Sequence, residues 1–290
     1  MFQALGSFAM DSRPIGFFDS GLGGLSILAA VRDLLPLESS VYFGDTARYP
    51  YGSKPQEDVA AFAQQIASYL VEVYGVKMVV VACNTASAAA LGILRSELTV
   101  PVVGVIEAGV RAASVVSGSS RVGLIATVGT VGSGAYQRSF SEVAPNVDLT
   151  CQACPGFVEL VESGEAETES ARVLARRLLE PILMAKVDTL LLGCTHYPFL
   201  ARTIQDVMGR DVILVSSSEE TAFEVRHMLE GNGLAAKDAT KMPSEVFISS
   251  GDPATFGGLA ASLLGRRIES VRQVETSELT RNFEKGRNGL

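Results

Sequence analysis

Two cysteines in this sequence carry the pattern expected of reacting groups. Cys83 follows the hydrophobic run Met78–Ala82 and precedes Asn84, and Cys194 follows Leu190–Leu192. In open α/β sheets, ligands bind beyond the carboxyl ends of the strands, where the chain turns into the next helix. At a helix N-terminus the dipole favours the thiolate, which is the basic form of cysteine. The pattern therefore favours two reactive cysteines at strand ends over the commoner inert cysteine of a core.

Two thiols facing each other across a cleft suit the inversion of a carbon stereocentre. Inversion by proton transfer needs a base on one face of the carbon and an acid on the other, with the roles exchanged in the reverse direction. The α-proton of an amino acid is very weakly acidic, so the site must also stabilise a carbanion with preorganised donors. The side chains of Asn84, Thr85 and Thr195 and the amides at the helix starts can supply them.

Other chemistries fit the sequence less well. The turn Gly21–Gly24 resembles a dinucleotide loop, but Ser26 stands at its third glycine position and the charge of Asp19 would face the phosphates. Cys151 and Cys154 form one Cys-x-x-Cys pair without a second, which favours two ordinary thiols over a zinc or redox site. The sequence contains neither the Gly-x-Ser-x-Gly motif of a hydrolase nor a P-loop.

Composition predicts a globular protein of about two domains. The chain has 290 residues, of which 47% are hydrophobic and 19% are charged. Its net charge of −8 argues against a nucleic-acid partner or an anionic membrane surface. Four cysteines are too few for a disulfide-built secreted protein, and the N-terminus lacks a basic segment followed by an apolar run. We therefore expect a cytoplasmic location.

Short hydrophobic runs alternate with segments of helical period, which predicts an α/β fold with parallel sheets. The eight predicted strands are Ile15–Phe18, Ser40–Phe43, Met78–Ala82, Val102–Val105, Val122–Ala126, Leu190–Leu192, Val212–Val215 and Val246–Ile248. Helices are expected behind Gln56–Asp58, over Thr168–Lys186 and over Thr221–Leu229, where His227 would be exposed. The polar C-terminus after about Ser270 is expected to lie on the surface or to be disordered. Eight strands exceed one ordinary sheet and indicate two.

Four strings, in order along the chain, closely resemble bacterial glutamate racemases of the aspartate/glutamate racemase family. They are Phe-Asp-Ser-Gly-Leu-Gly-Gly-Leu (18–25), Gly-Asp-Thr-Ala-Arg-Tyr-Pro-Tyr-Gly (44–52), Ala-Cys-Asn-Thr-Ala-Ser (82–87) and Leu-Gly-Cys-Thr-His-Tyr-Pro (192–198). The resemblance implies two similar open parallel-sheet domains, 1–104 with 217–290 and 105–216, and an active site in the cleft between them. It also implies a racemase that interconverts L- and D-glutamate with neither cofactor nor metal and supplies D-glutamate for peptidoglycan.

The resemblance also assigns roles to individual residues. Cys83 corresponds to the thiol that takes the proton from D-glutamate, and Cys194 to the thiol that takes it from L-glutamate. Asp19 and His196 correspond to the assisting groups beside these cysteines, and Glu162 to the partner of His196. The implied substrate-binding residues are Asp19, Ser20, Tyr51, Gly52, Asn84, Thr85, Thr130, Thr195 and His196.

Three alternatives remain open on the sequence. They are a racemase of a related amino acid such as aspartate, a two-domain amino-acid-binding protein, and a nicotinamide-dependent dehydrogenase that uses Gly21–Gly24. A binding protein would explain a cleft but not two matched cysteines. The expected partner is a small-molecule substrate, without nucleic acid or membrane, and a homodimer is left open.

Overall fold

The computed structural model describes residues 11–237, 240 and 242–288. Its strands are β1 (Ile15–Asp19), β2 (Ser40–Gly44), β3 (Met78–Val81), β4 (Val102–Gly104), β5 (Arg121–Ala126), β6 (Asp148–Ala153), β7 (Thr189–Gly193), β8 (Ile213–Val215), β9 (Glu245–Ser249) and β10 (Val271–Gln273). Its α-helices are α1 (Leu25–Leu34), α2 (Gln56–Tyr74), α3 (Asn84–Glu97), α4 (Val105–Val116), α5 (Val128–Gly132), α6 (Ala135–Val143), α7 (Phe157–Glu162), α8 (Glu169–Met184), α9 (Ala201–Met208), α10 (Ser218–Gly231), α11 (Pro253–Leu264) and α12 (Thr276–Asn288). A short 3₁₀ helix, Tyr197–Leu200, precedes α9.

The strands form two parallel sheets of related topology. The first sheet has the order β10-β9-β2-β1-β3-β4 and the second the order β6-β5-β7-β8. The arrangement β2-β1-β3-β4 therefore repeats as β6-β5-β7-β8, so that β3 and β7 hold equivalent places. This confirms the predicted α/β fold with two open parallel sheets. The strands fall on either side of the predicted domain boundaries, which themselves stay a prediction.

Both faces of each sheet are covered, because the strands are apolar on both sides. Strand β3 reads Met-Val-Val-Val and is fully buried, as expected for a central parallel strand. Helices α2 and α3 pack on one face of the first sheet, and α1, α10 and α11 on the other. In the second sheet, α7, α8 and α9 cover one face, and α4 and α6 cover the other. Helix α10 packs against both α1 and α4 and so connects the two halves.

All eight predicted strands are present, and two further strands were missed. Strand β6 reads Asp-Leu-Thr-Cys-Gln-Ala and β10 reads Val-Arg-Gln, and each lies at the edge of its sheet. An edge strand is partly solvated, so it lacks the continuous hydrophobic run on which the prediction depended. Of the two alternatives expected for the C-terminus, the described residues show a surface position and not disorder, since α12 packs on α2 with Leu279 buried and most of its other side chains at least partly exposed.

Each sheet has a topological switch point between its two central strands. From β1 the chain moves to β2 on one side and then crosses to β3 on the other, so a crevice opens between the carboxyl ends of β1 and β3. The equivalent crevice of the second sheet lies between β5 and β7. Asp19 and Cys83 flank the first crevice, and Thr127 and Cys194 flank the second. The sheets therefore place the two cysteines at equivalent positions.

Candidate active site

The turn after β1 holds Asp19 completely buried. One carboxylate oxygen, Oδ2, accepts hydrogen bonds from the backbone amides of Gly21 and Gly24, both at 3.2 Å. The other oxygen, Oδ1, is buried and has no hydrogen-bond partner among the described residues. A buried carboxylate oxygen left unpaired is costly, and such atoms are typical of functional sites. Asp19 therefore shapes the turn with one oxygen and keeps the other available.

Cys83 caps the N-terminus of α3. Its sulfur accepts the backbone N–H of Ala86 at 3.5 Å, and its thiol donates to the hydroxyl of Ser20 at 3.8 Å. Burial, reinforced by the negative charge of Asp19, raises the pKa of the Cys83 thiol far above its usual range. The sequence-based expectation of a lowered pKa at this helix end is therefore wrong, because desolvation outweighs the helix dipole. Cys83 is a protonated thiol at neutral pH in the ligand-free protein.

Cys194 lies in a different local setting. It follows β7 and leads into the 3₁₀ helix Tyr197–Leu200, so it is not at the N-terminus of an α-helix as the sequence predicted. Its sulfur is 4.0 Å from Nδ1 of His196, and Nε2 of His196 is 2.9 Å from Oε1 of Glu162. A short 3₁₀ turn has a weaker dipole than an α-helix, so the charge beside this sulfur comes from His196.

His196 is buried yet carries a positive charge at neutral pH. Burial alone lowers its pKa, but the hydrogen bonds to Cys194 and Glu162 outweigh that effect, and the pKa of His196 rises to about 10. The negative charge of Asp19 acts in the same direction. The structure thus brings together Cys194, His196 and Glu162 in one hydrogen-bonded series, with the imidazolium in the middle.

Three threonine hydroxyls meet where the two halves of the protein face each other. Thr85 lies in the first turn of α3 in the first half, and in the second half Thr127 caps α5 and Thr130 lies within it. Their oxygens lie 2.9–3.1 Å apart in a triangle, and all three residues are buried. Hydroxyls can rotate to donate to an anion. The triangle is therefore a compact set of neutral donors that would suit a carboxylate.

Asn84 and Tyr136 form a second link between the halves. The hydroxyl of Tyr136, on α6, donates to Oδ1 of Asn84 at 2.6 Å, and both side chains are buried. Because Oδ1 is the acceptor, the Asn84 amide nitrogen is left to donate elsewhere. Tyr136 thus orients the residue that follows Cys83 from the opposite half.

The loop 45–54 contacts the second half through its backbone. The carbonyl of Gly52 accepts the N–H of Gly129 at 2.9 Å, and a Cβ at Gly52 would lie 2.7 Å from Cβ of Thr127. The Tyr51 side chain, in contrast, is buried in the core of the first half, and its hydroxyl donates to Asp45. Of the predicted pair Tyr51 and Gly52, Gly52 contacts the second half directly, whereas the side chain of Tyr51 is buried in the first half.

Asp45 anchors this loop. Besides Tyr51, it accepts hydrogen bonds from Nε of Arg48 and from the hydroxyl of Ser250, both at 2.7 Å. Its own backbone N–H donates to the carbonyl of Asp19 at 2.9 Å. The carboxylate is fully buried, so these charge-assisted bonds hold the loop in a single arrangement beside Asp19.

The glycines after β1 allow the two halves to approach closely. A Cβ at Gly23 would lie 2.3 Å from Oγ1 of Thr195 and 2.9 Å from its backbone carbonyl carbon. The space beside this turn is therefore occupied by Thr195, which leaves no room for the pyrophosphate of a dinucleotide. The glycines serve contact between the segment after β1 and the segment after β7.

The structure thus brings most of the predicted site residues into one enclosed region. The residues Asp19, Ser20, Cys83, Asn84, Thr85, Thr130, Cys194, Thr195 and His196 are all buried. Cys151 and Cys154 are free thiols whose pKa is raised by burial to about 11 and about 12. In the described part of the chain, no group of three or more His, Cys, Asp or Glu side chains could hold a metal ion. Nor does any described helix have the length and apolar character needed to cross a membrane.

Sequence reasoning missed Thr127, Tyr136 and Tyr49. Thr127 had a local signal, because a hydroxyl residue at a strand end, three residues before Thr130, is typical of a helix N-cap, and its oxygen accepts the N–H of Thr130. Tyr136 and Tyr49 had no such signal. Their partners, Asn84 and His196, lie far away along the chain.

Known proteins resemble this chain over almost its whole length. The model of the Asp/Glu/hydantoin racemase family matches residues 25–220. A glutamate racemase of Geobacter metallireducens is 46% identical over 265 residues, which cover 91% of this chain and 97% of the relative. The structure of a glutamate racemase isoform from Bacillus anthracis superimposes with a TM-score of 0.87 at 37% identity, covering 92% of this chain and 98% of that one. The glutamate racemase of Francisella tularensis, solved with D-glutamate, has a TM-score of 0.83 at 34% identity and the same coverage.

Proposed function

Because this chain belongs to the Asp/Glu/hydantoin racemase family and is similar to its glutamate racemases, we propose that it interconverts L- and D-glutamate. In the proposed reaction the α-proton moves to one cysteine sulfur while the other cysteine donates a proton to the opposite face of the α-carbon. Neither a cofactor nor a metal takes part. The product D-glutamate would supply peptidoglycan synthesis in the cytoplasm.

The observation that supports this mechanism best is the equivalent placement of Cys83 and Cys194. Each follows the third strand of a four-strand arrangement that occurs once in each sheet. Two similar halves that face each other present the same group from opposite sides. A two-base inversion of one carbon needs an acid and a base on opposite faces, which two such thiols supply, whereas a binding protein has no use for them.

The two thiols have different surroundings, which suit them to different roles in proton transfer. Cys83 is a protonated thiol, because burial and Asp19 disfavour its anion. Beside Cys194, His196 places a positive charge 4.0 Å from the sulfur and stabilises negative charge there. In the direction from L- to D-glutamate, Cys194 would act as the base and Cys83 as the acid. In the reverse direction the two groups exchange roles.

Substrate binding would depend on neutral donors. Glutamate carries two carboxylates and one ammonium group. The proposed donors are the hydroxyls of Ser20, Thr85, Thr127, Thr130 and Thr195, the amide of Asn84 and the backbone amides of the loop ending at Gly52. Enclosure of these groups strengthens their hydrogen bonds to a carboxylate and to the carbanionic intermediate. The free oxygen of Asp19 would accept from the substrate ammonium.

The test is α-proton exchange on the purified protein without added cofactor. L- and D-glutamate are incubated in deuterated water, loss of the α-proton is followed by NMR, and inversion is followed by circular dichroism. We expect both enantiomers to exchange and to converge on a racemate. Aspartate is tested in parallel. Faster reaction of aspartate would favour the related racemase, and binding of glutamate without exchange would favour a binding protein.

The matched variants are Cys83→Ser and Cys194→Ser, with Cys151→Ser as the control thiol outside the site. A serine hydroxyl is a far weaker acid than a thiol, and at neutral pH it is a far weaker base than a thiolate. Each site variant should therefore lose racemisation in both directions by a factor of about 100 to 10,000. The control should keep the wild-type rate. Substantial racemisation by either site variant would refute the two-thiol mechanism.

A further inference from the structure

Tyr49 lies in the loop 45–54 of the first half but contacts the catalytic machinery of the second. Its ring centroid is 5.9 Å from that of His196, and the two planes are inclined by 38°. This distance lies within the range of attractive aromatic contacts and of contacts between a cation and an aromatic face. Tyr49 also packs against the hydrophobic core that contains Cys194. The ring therefore contacts His196 from across the boundary between the halves.

The hydroxyl of Tyr49 does not explain its position. The oxygen is buried and has no hydrogen-bond partner among the described residues. Burial, with the nearby negative charges of Glu162 and Cys194, raises the pKa of Tyr49 far above its usual range, so the phenol stays neutral. The contact that the described residues show for this side chain is therefore made by its ring.

The hydrogen bonds of His196 engage the edges of its ring and leave the two faces to other contacts. Nδ1 faces the sulfur of Cys194 and Nε2 faces Glu162, so both edges of the imidazole are used. Those bonds hold the two edges of the ring, and an aromatic ring in contact with it limits tilting and excludes water from the series. The imidazolium carries a positive charge, which an aromatic face attracts.

We propose that Tyr49 is a positioning residue whose ring holds the His196 imidazolium over Cys194 from the opposite half of the protein. The inference rests on the racemase function proposed above. It also connects the two halves of the site, because the loop that carries Tyr49 is anchored by Asp45 beside Asp19. The Cys194 half is then complete only while the loop of the first half is in place.

The decisive variants separate the ring from the hydroxyl. Tyr49→Phe keeps the ring, and Tyr49→Leu removes it. Tyr49→Met fills most of the volume without an aromatic face, and it replaces the leucine variant if that variant does not fold. Tyr74→Leu is the matched control, since Tyr74 is a half-buried tyrosine at the end of α2. The chain has only two histidines, so NMR resolves the titration of His196 directly, with exposed His227 as an internal reference.

We expect Tyr49→Phe to match the wild type in His196 titration and in turnover within about twofold. In Tyr49→Leu and Tyr49→Met, His196 should titrate about 0.5–1 pKa unit lower, since the aromatic face no longer favours the cation. The other charged groups near His196, namely Glu162, Cys194 and Asp19, are unchanged in these variants. Exchange of the α-proton from L-glutamate should fall about tenfold, and more than exchange from D-glutamate.

Two results would overturn the inference. One is an unchanged His196 titration in Tyr49→Leu and Tyr49→Met, with a loss of activity no greater than in Tyr74→Leu. The other is a loss in Tyr49→Phe equal to that in Tyr49→Leu. Failure of the wild type to racemise glutamate would refute the proposed function but not this inference, because the His196 titration is measured without substrate.

Discussion

The change Glu162→Gln tests the electrostatics of the Cys194 half of the site. Glu162 is the charged partner of His196, at 2.9 Å from Nε2, and glutamine keeps the shape while removing the charge. The pKa of His196 lies near 10 partly because of this partner. We therefore expect the variant to retain a hydrogen bond but to bind the His196 proton less tightly.

The size of the effect follows from the distance and the exposure. At 2.9 Å, two unit charges attract by about 1.4 kcal/mol in water and by about 6 kcal/mol at the effective dielectric constant of about 20 that describes protein sites. About a third of the Glu162 side chain, 34%, is exposed, so solvent screens the pair and the lower part of this range applies. A loss of about 2 kcal/mol corresponds to about 1.5 pKa units. His196 should then titrate near pH 8.5, in place of about 10.

The free energy of unfolding should fall as the pH rises towards the pKa of His196. The folded protein holds the His196 proton more tightly than the unfolded chain, whose imidazole titrates near 6.5. This stabilisation is complete below about pH 6.5 and is lost as the pH rises towards 10. The Tm difference between the wild type and Glu162→Gln should therefore be largest near pH 6.5 and should narrow by pH 10.

NMR titration of the two histidines measures the effect directly. His227 on α10 is exposed and serves as an internal reference. Glu159→Gln is the matched control, because Glu159 lies on the same helix without a hydrogen bond to His196. If His196 titrates at the same pH in Glu162→Gln as in the wild type, or if wild-type His196 is already neutral at pH 7, the account of an imidazolium held by Glu162 is wrong.

Three further predictions follow from the same site. Gly23→Ala should reduce racemisation at least about 100-fold, because its Cβ would collide with the side chain and backbone of Thr195 and displace the segment that carries Cys194. Steady-state rates measure this effect, and near-normal activity would show that the two halves can separate without cost. Asp45→Asn should lower the free energy of unfolding by about 3 kcal/mol and raise KM for glutamate, because the loop 45–54 loses a buried charged anchor. Urea unfolding measures the first effect and steady-state kinetics the second, and an unchanged KM would contradict the anchoring role. Asp19→Asn and His196→Asn should bias α-proton exchange in opposite directions for D- and L-glutamate, because each residue adjoins a different cysteine. Identical exchange rates of the two variants with both enantiomers in deuterated water would assign both residues to substrate binding alone.

The strands, and the position of the two cysteines at strand ends, could be read from local sequence. Central parallel strands are buried on both faces and appear as continuous hydrophobic runs, and all eight of those predicted are present. The cysteines follow two such runs, so their position at strand ends needed no tertiary information. Glu162 lacked a local signal of this kind, and only the family resemblance indicated it.

The properties of these groups depended on packing between distant segments. Local reasoning lowered the pKa of Cys83 by placing it at a helix N-terminus, whereas the fold buries it beside Asp19 and raises the pKa. The family resemblance assigned Tyr51 to substrate binding, which stays a prediction, and the fold adds that the hydroxyl of Tyr51 donates to Asp45.

The sequence by itself therefore determined which elements form and which side chains stand at their ends, because hydrophobic periodicity and strand-end motifs act over a few residues. The tertiary structure decided how each group is charged and oriented. Tyr49 contacts His196, Thr85 bonds to Thr127 and Thr130, and Thr195 fills the space beside Gly23. Each of these contacts joins residues from different halves of the protein, and desolvation and Coulomb interactions arise only once the two halves face each other.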